Sequence, residues 1–238
     1  MSDLRVGLVA EGKTDLIIIE AALKSIFGNR TFTLTLLQPE TSDSFGGCGP
    51  LGGGWSGVYK WCRQLVSMQE PVAGNSSLSG FDLILLHVDA DVAGKDYPSA
   101  NINNELDDLP CQRHCPPAAA SVDRLRKVIT RWLDLPTGEL PPTRWVFCNP
   151  SMCSEAWLVA ALYCDSETEV MVEIECNQNL ENWLSQRPIN EGRLIHNGRK
   201  RPAAYREVTP QLTNAWEDVC NCCSQARRFT EEVRTALA

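Results

Sequence analysis

The stretch LRVGLVAEGKTD, residues 4–15, decides the fold. Leu4 to Ala10 is a short apolar run rich in β-formers and reads as a buried strand. It passes directly into Glu11, Gly12, Lys13, Thr14 and Asp15, and the periodicity then changes. From Thr14 to Phe27 the apolar residues Ile17, Ile18, Ala21, Ala22 and Ile26 recur at helical spacing. Thr14 is the expected N-cap and Gly28 the expected stop. A strand that hands over at once to a helix begins an α/β unit. The strongest strand lies further on, in FDLILLHV, residues 81–88. An unbroken apolar run of this length fits a central parallel strand covered on both faces. His87 within it reads as a core histidine rather than a ligand.

Working outward, Thr31 to Leu37 alternates and reads as a second strand, and Arg144 to Cys148 as another. Phe45 to Gly57 is glycine-rich and reads as a surface loop, with a lid or backbone cradle beside a site as the alternative. Helices are expected over Val58–Met68, Ala118–Leu133 and Ser154–Tyr163, the last with Ser154 as cap. Tyr97 to Pro117 is irregular, Glu169 to Trp183 is ambiguous, Arg193 to Arg206 is basic and polar, and Thr213 to Leu237 holds the closing helices. Strands alternating with helices imply an α/β fold with a mostly parallel central sheet flanked by helices on both faces. Residues 1–238 are expected to form a single domain with a C-terminal helical extension.

Composition narrows the class. Apolar residues make up 43% of the 238 residues, enough for a globular core. The net charge of −8 repels nucleic acid over most of the surface, so any such contact needs a local basic patch or a bridging metal. No apolar run reaches the roughly 20 residues of a membrane span, and the N-terminal residues do not read as a signal peptide. The expected location is cytoplasmic, and the 11 cysteines are expected to be reduced thiols. Cys148, Cys164 and Cys176 read as ordinary core residues.

The chemistry concentrates at two strand ends. In a parallel sheet, ligands bind at the carboxyl ends of the strands. One strand delivers Glu11 there and the other delivers Asp89 and Asp91, which share a side if extended geometry persists. Carboxylates converging at one edge repel each other unless a cation lies between them. Mg2+ suits such hard oxygen ligands, and Mn2+ is the alternative. Asp15 stands in the first turn of the following helix, either as a further ligand or as a charge favoured by the helix dipole.

Other motifs compete. Gly7 to Thr14 matches the pattern G-x-x-x-x-G-K-[ST] of a phosphate-binding loop, which would make the chain a nucleotide triphosphatase. Against it, Leu8 and Val9 continue a strand, and Glu11 would set a carboxylate against the phosphates. A zinc site from Cys111, His114 and Cys115, or from Cys220, Cys222 and Cys223, lacks paired C-x-x-C spacing. With three histidines and no G-x-S-x-G elbow, Ser–His hydrolysis is not expected.

LVAEGKTD followed by LILLHVDAD resembles the Toprim fold of topoisomerases, bacterial primases and recombination mediators. The likeness is closer to the overcoming-lysogenization-defect (OLD) nucleases and to small stand-alone bacterial Toprim-like proteins. The resemblance implies a metal-dependent nuclease cleaving DNA or RNA, in an anti-phage defence role beside a separate ATPase. A homo-oligomer is compatible with it, as is a catalytically weak scaffold that binds the ATPase. It implies metal ligands Glu11, Asp15, Asp89, Asp91 and Glu155, the last from CSEAWLVAAL. It also implies a catalytic group of Glu11, Asp89, Asp91 and the late Lys200 of NGRKRPAAY. Arg193, Arg199, Lys200, Arg201 and Arg206 form a basic run that reads either as a solvated loop or, since the likeness places Lys200 at the site, as a contact to the nucleic-acid backbone.

Overall fold

Strand β1 spans Leu4–Val9 and sits between two parallel neighbours, β2 (Phe32–Gln38) and β3 (Leu83–His87). β4 (Trp145–Cys148) adds to the far side of β3, again parallel, giving the order β2-β1-β3-β4. The structure, a computed structural model, describes residues 3–40, 48–68, 70–103, 106–136, 144–163, 171, 173–188 and 193–238. The expected α/β fold with a parallel sheet is therefore present.

The period of two divides the sheet residues between two cores. Val6, Leu8, Leu83, Leu85 and Val146 face one layer of apolar side chains. That layer belongs to helices α1 (Lys13–Phe27), α4 (Glu155–Tyr163), α6 (Pro202–Asn214), α7 (Trp216–Cys222) and α8 (Ser224–Ala236). Val9, Ile84, Leu86 and Phe147 face α2 (Gly54–Ser67) and α3 (Ala119–Trp132) on the other side. All five residues of β3 are buried, as an inner strand covered on both faces must be. β2 lies at the edge, and its threonines Thr33 and Thr35 are exposed between half-buried partners.

Strand order reverses beside β1: β2 pairs with one edge of it and β3 with the other. Such a switch point opens a crevice at the carboxyl ends of the two strands, and Glu11 and Asp89 follow those ends directly. The first turn of α1 differs from expectation. Gly12, in extended conformation, stands at the N-cap, and no side chain caps the helix, so Thr14 lies inside it. The far end behaves as expected: Gly28 takes a positive φ of 57° and donates its N–H to the Lys24 carbonyl.

The phosphate-loop alternative meets a strand where the loop would begin. Gly7, Leu8 and Val9 pair with Ile84, Leu85 and Leu86 of β3, so their backbone groups serve the sheet and do not wrap an anion. Helix α2 begins at Gly54 rather than Val58. The Gly54 N–H donates to the Glu11 carbonyl at 2.8 Å, tying the described part of the glycine-rich loop to the strand end. The rest of that loop, residues 45–47, lies outside the described residues.

The C-terminal third holds more structure than the sequence suggested. The ambiguous segment contains a 3-10 turn at Ile174–Cys176 and a short helix, α5 (Leu180–Ser185). The basic segment forms an antiparallel hairpin of β5 (Ile195–His196) and β6 (Arg199–Lys200). Asn197 and Gly198 at its turn both have positive φ, 48° and 70°. This is the Asn-Gly signature of a tight two-residue hairpin, and it was readable in the sequence.

Two cysteine readings need correction. Cys115 and Cys176 form a disulfide, with Cα atoms 5.5 Å apart across a separation of 61 residues. Cys176 is thus a cross-link rather than a plain core residue, and the expectation of uniformly reduced thiols fails at this pair. No local spacing signals such a bridge; only the fold brings the partners together. Cys148 is buried as expected, and Cys164 lies outside the described residues. No helix among the described residues is long and apolar enough to cross a membrane.

Candidate functional site

The carboxyl ends of β1 and β3 open into a cavity of about 380 Å³ lined by Glu11, Asp15, Asp89, Asp91, Glu181 and Lys200, among others. Five of these are acids, in a space closed on one side by the sheet edge and on the other by α5 and the β5–β6 hairpin. The route by which each arrives matters, because the sequence predicted some routes and not others.

Glu11 follows β1 directly and turns its Oε1 to accept the Asp89 backbone N–H at 2.9 Å. This hydrogen bond joins the two strand ends. Burial, and then the charge of Asp89, push the Glu11 carboxyl well above the usual range. Asp15 enters from the first turn of α1, only 4% exposed, and its Oδ1 accepts from the Ser154 hydroxyl at 2.8 Å. Ser154 thus directs its hydroxyl proton to Asp15.

Asp89 and Asp91 do not alternate along an extended strand. β3 ends at His87, Asp89 stands just before a 3-10 helix over Ala90–Gly94 without a side-chain capping bond, and Asp91 lies inside that helix. Both still line the cavity, but through a helical turn. Asp89 is nearly buried, and burial outweighs the pull of His87 to push its carboxyl up to about 7. Asp91 is half-exposed and paired with Lys95 at 3.1 Å. Burial raises its carboxyl too, against the opposing charge of Lys95.

His87, read as a core residue, is fully buried, and its Nε2 lies 3.2 Å from Asp89 Oδ1. Burial alone would depress the imidazole. Asp15 and then Asp89 overcome that and push it up to about 9. A histidine two residues before a strand-end aspartate shares that aspartate's side of the strand, and this signal was present in the sequence.

Glu155 and Lys200 meet, as a pair. Lys200 Nζ lies 2.7 Å from Glu155 Oε1 and 2.8 Å from Glu181 Oε1. The Tyr205 hydroxyl donates to the same Glu155 Oε1 at 2.8 Å. Glu155 is fully buried, and its Oε2 has no hydrogen-bond partner. It sits behind Lys200 and does not line the cavity with the other acids. Burial would lower the lysine, but Glu155 and then Asp15 more than reverse this, so Lys200 carries its charge at any working pH. Glu181 and Tyr205 are the members of this network that the sequence did not single out.

The basic run divides. Arg193 donates to the Arg187 carbonyl and Arg201 to the Arg193 carbonyl, which fixes the base of the hairpin. Arg199 and Arg206 are exposed. The zinc alternatives do not assemble. Cys115 is in the disulfide, and neither cysteine group forms a metal-sized cluster among the described residues.

The donor set suits a divalent cation. Acids with raised carboxyls crowd the cavity, and Asp89 Oδ1 is buried without a hydrogen bond. An ion among them would relieve both the repulsion and the unmet acceptor. Comparison with protein-family models, with curated proteins and with solved structures finds no match to this chain.

Proposed function

We propose that the protein is a divalent-metal-dependent phosphodiesterase acting on nucleic acid, of the Toprim type that its two acidic motifs resemble. The observation that carries this reading is the convergence of Glu11, Asp15, Asp89 and Asp91 with one cation, Lys200, around a single cavity at the switch point of a parallel sheet. Glu11, Asp89 and Asp91 would hold Mg2+ or Mn2+, with Asp15 alongside. The ion would supply Lewis-acid polarisation of a phosphoryl oxygen.

The chain's own groups provide the rest. Glu11, at the cavity wall, would act as general acid or base where Asp89 and Asp91 alone hold the ion. It can take a proton from attacking water or return one to the leaving oxygen. Lys200 reaches the cavity from β6 and offers a fixed positive charge where negative charge builds up on phosphorus. Glu155 and Glu181 position its ammonium, and the Tyr205 hydroxyl donates to Glu155. Arg199 and Arg206, exposed near that hairpin, are the residues left to meet phosphates further along a strand.

The test is cleavage of supercoiled plasmid, linear DNA and RNA with Mg2+ or Mn2+, in wild type and in Glu11→Gln, Asp89→Asn, Lys200→Met and Lys13→Ala. Cleavage is expected in wild type, lost in the first three variants and retained in Lys13→Ala. Cleavage that survives Glu11→Gln and Asp89→Asn refutes the reading. Cleavage that appears only with an added ATPase partner would move the chain to the partner-dependent effector.

A further inference from the structure

His87 carries an unmet requirement. It is 0% exposed, and neither ring nitrogen makes a hydrogen bond among the described residues. Buried polar side chains nearly always find partners. The ring lies on the face of β3 that looks toward α1, and Asp15 comes down from the first turn of that helix. Asp89 Oδ1 faces Nε2 at 3.2 Å but without hydrogen-bond alignment, and it too makes no hydrogen bond. One ligand atom from each of Asp15, His87 and Asp89 lies within 4.8 Å of the others. All three side chains belong to buried residues, at 4%, 0% and 9% exposure.

We propose that Asp15, His87 and Asp89 form a buried site of one imidazole and two carboxylates that takes a divalent transition-metal ion in preference to Mg2+. The inference deepens the reading of the same acidic cluster. It rests on that cluster being a metal site, not on phosphodiester cleavage. Mg2+ favours all-oxygen ligands and keeps several waters. Here one donor is nitrogen, from the fully buried His87, and two are carboxylates that line the cavity. Imidazole with carboxylate suits Fe2+, Co2+ or Zn2+ better. The surroundings already orient the ligands, as supporting hydrogen bonds do at metal sites. Ser154 holds Asp15, and Glu11 accepts from the Asp89 backbone. The rival arrangement is a protonated His87 that serves as the internal counter-charge to the two aspartates and never touches a metal.

The experiment titrates the EDTA-treated full chain with Zn2+, Co2+ and Mg2+ separately and follows histidine ring nitrogens by NMR. The chain has three histidines, and exposed His114 and His196 serve as internal controls. One equivalent of Zn2+ is expected to shift the His87 ring, whereas Mg2+ in about hundredfold excess leaves it in place. Co2+ affinity is expected to fall at least about tenfold in Asp15→Asn and in His87→Gln. An unmoved His87 ring at one equivalent of Zn2+ overturns the proposal, as does Mg2+ that displaces Zn2+ at comparable concentration. If the variants fail to fold, the wild-type ring signal still decides. A chain that binds Zn2+ through His87 but cleaves nothing would keep this site and discard the nuclease reading.

Discussion

Replacing Lys200 with Met should expose how the hairpin and α4 are held together. Glu155 is fully buried, and its Oε1 receives both Lys200 Nζ at 2.7 Å and the Tyr205 hydroxyl at 2.8 Å. Its Oε2 has no hydrogen bond, so after the substitution a buried carboxylate would keep one neutral donor. Removing one partner of a buried ion pair costs about 3–5 kcal/mol. Lys200 is 29% exposed, so water can reach the vacated position, and we expect less than a fully buried pair would lose, about 2–3 kcal/mol. The second contact, to the more exposed Glu181, adds less than about 1 kcal/mol. The double variant Glu155→Gln/Lys200→Met removes both charges and should lose only about 1 kcal/mol, about 1–2 kcal/mol less than Lys200→Met alone. Urea unfolding followed by circular dichroism reads these values, and the dependence on urea should stay constant across the cycle. The reasoning fails if Lys200→Met falls within about 0.5 kcal/mol of wild type, or if the double variant is no more stable than Lys200→Met.

The remaining expectations are independent of that pair. Metal-free protein should lose stability as pH rises. Asp89 titrates near 7 in the fold against 3.8 ordinarily, so its proton is held more tightly in the folded state and the contribution is lost between about 4 and 7. His87, near 9 against 6.5, contributes fully below about 6.5 and loses that contribution as pH passes about 9. Melting temperatures at pH 5, 7 and 9 in EDTA should therefore fall in that order, and saturating Zn2+ should flatten the trend; a rise with pH would contradict the clustering of these groups. Gly57→Ala places a Cβ 2.5 Å from the Gly52 carbonyl oxygen and should cost about 1–3 kcal/mol by thermal unfolding. Gly74→Ala meets nothing within 4 Å and serves as the control that should change stability by less than about 0.5 kcal/mol. Exhaustive alkylation of denatured protein should count two fewer thiols before reduction than after it, with Cys115 and Cys176 the protected pair by peptide mapping; equal counts would contradict the bridge.

The amino-acid sequence by itself determined the sheet and the position of its acids. The unbroken run before Asp89 requires a strand covered on both faces, and the abrupt change of period at Glu11 requires a strand–helix junction. Both follow from local apolar spacing, which one segment carries without help from another. Glu11 and Asp89 are therefore legible as neighbours at a sheet edge. Tertiary structure alone decided what surrounds them. Asp91 reaches the cavity through a 3-10 turn rather than strand alternation. Glu155 and Lys200, 45 residues apart, meet as a buried pair because a hairpin folds back over α4. His87 looks like any core residue until Asp15 arrives from another element. Cys115 and Cys176 carry no spacing that would pair them. Each of these depends on contacts between segments distant in the chain, where burial and neighbouring charge, rather than residue type, set what a side chain does.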